Sequence, residues 1–381
     1  MPLTGEIRLR DATVGVVRDG RLVECSEALL PLYLQRTKDV ESWLRGRAID
    51  AHRTNSRLLK KALRIGSADD LDAVLRVHAA TITDTYWFCP EGESLTYDDV
   101  RFKENQFAAL ALRGDPDSFN RPYSPTPELT NIGSYEKCWL LREPPQRNCV
   151  SPGTPVQKWW MVKQGSELER FSELFICRLG QALGFPMAEY HPEGDTVVSP
   201  DFTDGAAVNY EAADGIVGGD EDYYRNFDAF YALSPDLARQ YLEIIYMDTL
   251  CFNMDRHTRN YGVLRDVDTG EILSMAPNFD NNIALFSRGV PQNLSRTNDK
   301  LIALWDELLQ HDGRALELAQ ALPAPTREMI ESCALATGIV VDMDALCEFV
   351  QSGSEQVQAQ IEALAMDGQT QGLVFKTQLV Q

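Results

Sequence analysis

The sequence predicts an α+β chain in two lobes, and three observations predict it. Strand-like alternation is concentrated before residue 205, a long helical pattern from Pro235 runs straight into a polar loop at Asp255, and after one later hairpin the chain is helical to its end. At 381 residues, 44% hydrophobic and 24% charged, it is long enough for one large domain or two to three ordinary ones, and can bury a substantial core.

The elements follow in order. Up to about residue 35, Ile7 and Leu9, then Val14 and Val16, alternate as strands, and Asp19-Gly20 marks a hairpin turn. Leu58, Leu59, Ala62 and Leu63, then Leu71, Val74, Leu75 and Val77, recur at helical steps. Residues 90–98 and 114–127 are rich in Pro, Gly, Asp and Ser. The second stretch reads as a linker, so residues 1–125 form a strand-plus-helix N-terminal subdomain. A second lobe, 126–205, holds a strand to Leu141, a break at Pro144-Pro145, the strand K-W-W-M-V-K ending at Lys163, and a helix from Glu167 to Gly184. Residues 206–381 are mainly helical: Pro235 to Phe252, Asp299 to Leu309, Pro325 to Ala336 and Met343 to Met366.

Charge and composition narrow the function classes. The formal charge is −21, from 57 acidic and 36 basic residues without a Lys/Arg-rich run, so no direct nucleic-acid binding and no docking on anionic membranes are expected, and a basic partner or peptide substrate fits better. No leader and no long apolar stretch is evident, and the eight cysteines are scattered without a C-x-x-C pair. Both point to a cytoplasmic protein with free thiols. The five histidines lack zinc-ligand spacing, and neither a G-x-x-x-x-G-K-[ST] loop nor a G-x-S-x-G elbow occurs.

The chemistry is concentrated in C-F-N-M-D-R-H-T-R-N-Y-G, Cys251 to Gly262, where Asp255 and Asn260 stand five residues apart. That is the spacing of a kinase catalytic loop, H-R-D-x-x-x-x-N, in which the Asp takes the proton of the attacking hydroxyl and the Asn holds magnesium. Tyr261 to Asp266, a turn at Val267 to Gly270, and Glu271 to Met275 read as a hairpin that returns the chain to Asp280, the candidate metal Asp. Without the upstream loop, Asn278 to Asn282 would read simply as an Asx-rich turn. His257 is expected to be scaffold, and Arg256 to pair with either a phosphorylated residue or a carboxylate. Thr130 to Lys137 lies between strand-like pieces, with Gly133 permitting close backbone approach to a phosphate. Lys163 ends a strand, and Glu173 in the following helix competes with Glu167 and Glu169 as its partner.

With these motifs in hand, T-N-I-G-S-Y-E-K-C-W-L-L at Thr130, M-V-K at Lys163, S-E-L-F-I-C-R-L-G-Q-A-L-G at Ser172, N-M-D-R-H-T-R-N-Y-G at Asn253 and A-P-N-F-D at Ala276, the chain resembles the HipA-like serine/threonine kinases of bacteria over about residues 130–286. The resemblance implies a protein-kinase-like fold. It implies ATP and Mg2+ as cofactors, Asp255 as base, Asn260 and Asp280 as metal ligands, and Gly133, Ser134, Lys137, Lys163 and Glu173 as the nucleotide-binding set. It also implies an antitoxin as a candidate partner and Thr130 as a self-inactivating phosphorylation site, with Ser134 the competing hydroxyl. Two departures stand out: the metal segment N-F-D-N-N lacks the glycine of D-F-G, and residues 1–125 match only loosely. D-R-H-x-x-N also resembles phosphoinositide kinases, so a lipid or small-molecule kinase is the first alternative. A nucleotide-binding pseudokinase acting as a binding module is the second.

Overall fold

The computed structural model describes the chain except residues 1–2, 50–52, 54, 66–69, 123, 134, 143–157 and 379–381, with side chains described up to residue 366. The chain divides into two compact units, each assembled from separate stretches of sequence: Met1–Gly165 with Ala188–Gly218 and Gly262–Ala276, and Ser166–Met187 with Gly219–Tyr261 and Pro277–Gln381. All the named strands fall in the first unit, and the second is built from helices.

In the first unit, β1 (Gly5–Leu9), β2 (Ala12–Arg18), β3 (Arg21–Cys25) and β4 (Tyr86–Pro90) form an antiparallel sheet ordered β3-β2-β1-β4. Asp19 and Gly20 both take positive φ, 49° and 77°, which gives the tight hairpin turn whose twist matches its strands. The expected alternation at Val14 and Val16 does not hold: the register shifts between Val16 and Val17, so Val17 is the residue that packs inward with Ile7, Leu9 and Val14. β4 has no counterpart in the sequence reading. Its run Y-W-F-C is buried throughout and therefore shows no polar alternation.

A second sheet, ordered β5-β6-β8-β7, contains β5 (Lys137–Arg142), β6 (Lys158–Gln164), β7 (His191–Glu193) and β8 (Thr196–Pro200). The third joins β9 (Val208–Ala212), β10 (Gly262–Asp266) and β11 (Ile272–Met275) in the order β11-β10-β9. The last two strands are the expected hairpin, closed at its base by the Ala276 N–H donating to the Gly262 carbonyl at 2.8 Å. At its tip, Asp266 Oδ1 accepts the N–H groups of Asp268 and Thr269 at 2.9 and 2.7 Å. Arg265, buried in the middle of this sheet, pairs with Glu211 of β9.

In the second unit the helix Glu167–Ala182 opens with a capping box between Ser166 and Glu169. The helix Pro235–Cys251 has Ser234 as N-cap and Pro235 in its first turn, and every residue from Tyr241 to Cys251 is buried. Trp305, Leu346, Phe349 and Val350 extend this apolar interior. The helices Lys300–His311 and Arg327–Leu335 stand close to where periodicity places them, Met343–Gln378 starts where expected and runs on past Met366, and Tyr223–Leu233 and Gly313–Ala319 are additional. The described cysteines are all free and all but Cys25 are buried, with Cys149 outside the described residues. No helix among the described residues is long and apolar enough to cross a membrane.

Candidate active site

The helix Pro235–Cys251 stops because Phe252 turns left-handed, at φ 53°, and the chain enters the Asp255 loop. Asn253, fully buried, organises the entry. Its Oδ1 accepts the Asp255 N–H at 3.1 Å, while its Nδ2 donates to Asp248 Oδ1 at 3.0 Å and to Asn281 Oδ1 at 3.1 Å. The Asp255 carbonyl accepts from the His257 N–H at 3.0 Å and from Asn260 Nδ2 at 2.9 Å, so the Asp255–Asn260 loop closes on itself. His257 is placed as scaffold: its Nδ1 accepts the Arg259 N–H at 3.2 Å.

Arg256 joins this loop to the Asp280 segment. It pairs with the buried Asp248 carboxylate through Nε at 2.8 Å and one terminal nitrogen at 2.9 Å, which decides for the carboxylate between the two expected partners. The other terminal nitrogen donates to the carbonyls of Asn260, at 2.6 Å, and Phe279, at 2.8 Å. One side chain therefore ties the backbone of Asn260 to that of the residue preceding Asp280. Asp280 itself adopts φ 60°, a left-handed conformation that Asp tolerates better than most residues. Glu173 is buried, and its Oε2 accepts the Asn281 N–H at 3.1 Å. Of its two rivals, Glu169 closes the capping box and Glu167 is exposed.

The carboxyl of Asp255 is raised above the usual carboxylate range, first by burial and further by the Asp280 carboxylate, with His257, Arg256 and Arg288 acting in the opposite direction. Two acidic groups that disfavour each other's charge are suited to a cation. The Asn260 amide is oriented by its Nδ2 bond to the Asp255 carbonyl, which turns Oδ1 away from that carbonyl. Asn260 Oδ1 and the Asp280 carboxylate are hard oxygen donors of the kind magnesium takes, so these residues fit a magnesium ion.

In the first unit, Lys137 and Lys163 are direct cross-strand partners on β5 and β6, and both are buried. Direct cross-strand partners project from the same face of a sheet, so the two side chains stand side by side. Lys163 Nζ lies 3.5 Å from the Tyr190 hydroxyl and 5.4 Å from its ring centroid. Gly133 has φ 111°, and a Cβ built on it would run into Lys137 Nζ, so glycine is what allows the loop to lie against that ammonium. Ser134 lies outside the described residues. Thr130 ends a short 3-10 turn, Pro127–Thr130, buried, with its hydroxyl donating to the Ala80 carbonyl at 2.7 Å.

Asp255, Asn260, Asp280 and Glu173 are thus gathered in the second unit, and Gly133, Lys137, Lys163 and Thr130 lie in the first. The sequence reading did not single out Asp248 or Asn253. The one signal available was an Asp inside the otherwise apolar run I-I-Y-M-D-T-L-C, a position that requires a buried partner.

The fold is kinase-like and of the HipA-like form, as its likeness to a solved structure shows. HipA of Shewanella oneidensis MR-1, solved with HipB and its operator DNA as a toxin–antitoxin system, aligns over 94% of this chain and 97% of its own at 15% identity and a TM-score of 0.54. The proinflammatory kinase CtkA of Helicobacter pylori aligns over 56% of this chain and 92% of its own, at 17% identity and a TM-score of 0.44. No family model and no curated protein sequence matches the chain.

Proposed function

We propose that this chain is an ATP- and magnesium-dependent serine/threonine protein kinase of the HipA-like kind. The observation that carries the reading is the Arg256 tie, which brings the Asp255–Asn260 loop and the Asp280 segment together within one unit. In this reading Asp255 orients the acceptor hydroxyl and takes its proton, and its raised affinity for protons suits a base that works beside anionic phosphates. Asn260 and Asp280 hold magnesium, which when bound neutralises charge on the nucleotide phosphates. Lys137 and Lys163 contact phosphate oxygens, with the Gly133 backbone against Lys137, and Glu173 braces the segment after Asp280 through the Asn281 N–H. Thr130 is the self-inhibitory phosphorylation site. The likeness to HipA supports an antitoxin as a partner, and a cytoplasmic location goes with it.

Purified protein incubated with labelled ATP and magnesium, followed by intact-mass measurement and a lysate phosphorylation screen, tests the reading. Asp255→Asn is expected to bind ATP yet lose phosphoryl transfer, and wild-type turnover in that variant would remove Asp255 as the base.

A further inference from the structure

In many kinases a segment is ordered only when a phosphate pairs with an arginine, and for Arg256 that pairing was one of two expectations. Here the guanidinium is buried and each of its nitrogens already meets an acceptor. Asp248 takes two of its bonds, and the carbonyls of Asn260 and Phe279 take two more. The remaining contacts, to Asn278 Oδ1 at 2.9 Å and Asn281 Oδ1 at 2.7 Å, lie on the two sides of Asp280. Because arginine only donates, both amides are forced to turn oxygen toward it, so Arg256 fixes the side chains flanking the metal Asp as well as the backbone before it. The counter-charge comes from Asp248, inside the buried Tyr241–Cys251 part of its helix, so it is part of the fold and not a signal. A phosphate could reach Arg256 only by displacing Asp248 from the interior.

We infer that Arg256, paired with Asp248, is a positioning residue that holds Asp255, Asn260 and Asp280 in register from within, so that the site assembles without phosphorylation of an activation segment. The inference rests on the kinase reading above and concerns how that same site is regulated.

Two measurements test it. Wild-type protein treated with phosphatase and shown by intact mass to be phosphate-free is expected to keep its full turnover, and a loss of turnover restored by rephosphorylation would overturn the inference. Arg256→Lys, which keeps the charge but lacks the fork needed to span the loop and the Asp280 segment, is expected to lower kcat by about a hundredfold with a smaller change in the KM for ATP. The paired exchange Asp248→Leu with Arg256→Met removes both buried charges at once and guards against misfolding of the single variant. Either variant, folded by thermal melt and with wild-type kcat, would overturn the positioning role. Calorimetry separates this failure from that of the kinase reading. Wild-type protein that shows no magnesium-dependent ATP binding defeats the kinase reading, whereas wild type that binds, beside variants that bind and turn over equally well, defeats only the role of Arg256.

Discussion

Glu128→Gln should loosen the segment that buries Thr130, and the size of the effect follows from the contacts of one carboxylate. Glu128 is fully buried and accepts the Trp139 N–H at 2.8 Å, Asn105 Nδ2 at 2.8 Å, Asn131 Nδ2 at 3.0 Å and Arg53 at 3.2 Å. It thereby fastens the Pro127–Thr130 turn to β5 and to Asn131, two residues before Gly133. Glutamine keeps the shape but offers one oxygen in place of two and turns an NH2 group toward neighbours that are themselves donors. The charge-assisted bond to Arg53 is lost and Arg53 stays buried, so the local structure should weaken by about 3 kcal/mol. That corresponds to a rise of roughly 150-fold in the population in which the turn is open. Thr130 cannot be modified while its hydroxyl faces the Ala80 carbonyl, so its phosphorylation on incubation with ATP should accelerate by a comparable factor. The Ile49 amide, which donates to the Leu129 carbonyl at 2.8 Å, gives a readout independent of catalysis. Its hydrogen exchange should accelerate by the same order. Unchanged exchange at Ile49 in the folded variant would refute the argument, and faster exchange without faster Thr130 phosphorylation would show that burial is not what limits the modification.

Gly133→Ala should raise the KM for ATP by roughly tenfold, since alanine is strained at φ 111° and its methyl group displaces Lys137 Nζ; steady-state kinetics across ATP concentrations checks this. Asp280→Ala should weaken magnesium-dependent ATP binding by at least about tenfold in calorimetry, and an unchanged magnesium dependence would take Asp280 out of the site. Protein should be preferred to lipid as acceptor, because the resemblance to HipA-like kinases runs through the phosphate loop and the Glu167–Gly184 helix while the lipid-kinase resemblance is confined to one loop. Phosphorylation of phosphoinositide vesicles with no protein acceptor in lysate would reverse that preference.

How much of this could be read beforehand depended on whether the determinant was local. The Asp19-Gly20 turn and the β10–β11 hairpin were legible because each is specified by residues within a few positions, positive φ at Asp19 and Gly20 in one and the Asp266 Oδ1 bonds in the other. β4 and β9 were not, since a strand buried on both faces or only five residues long carries no periodic signal, and each is fixed by a partner far off in sequence: β1 for β4, β10 for β9. The inward turn of Val17 depends on a register shift that alternation cannot foresee.

The same distinction runs through the site. The spacing of Asp255 and Asn260 is local, and the closure of their loop by the Asn260 Nδ2 bond gives that spacing its physical basis. Glu173 shows the opposite case. Its position off the apolar stripe is compatible with solvent or with a polar partner, and only the fold supplies the Asn281 N–H that makes burial tolerable. Asp248 and Arg256 are eight residues apart, and each would be costly inside the protein by itself, so neither is interpretable until the other is placed. Once they are paired, the polar run N-F-D-N-N ceases to be a plain turn: Asn278 and Asn281, on either side of Asp280, are held by the arginine. The missing glycine of D-F-G then has a local explanation, because the positive φ in this segment falls on Asp280 itself, a residue type that accepts it, and the arginine bonds on either side hold it there.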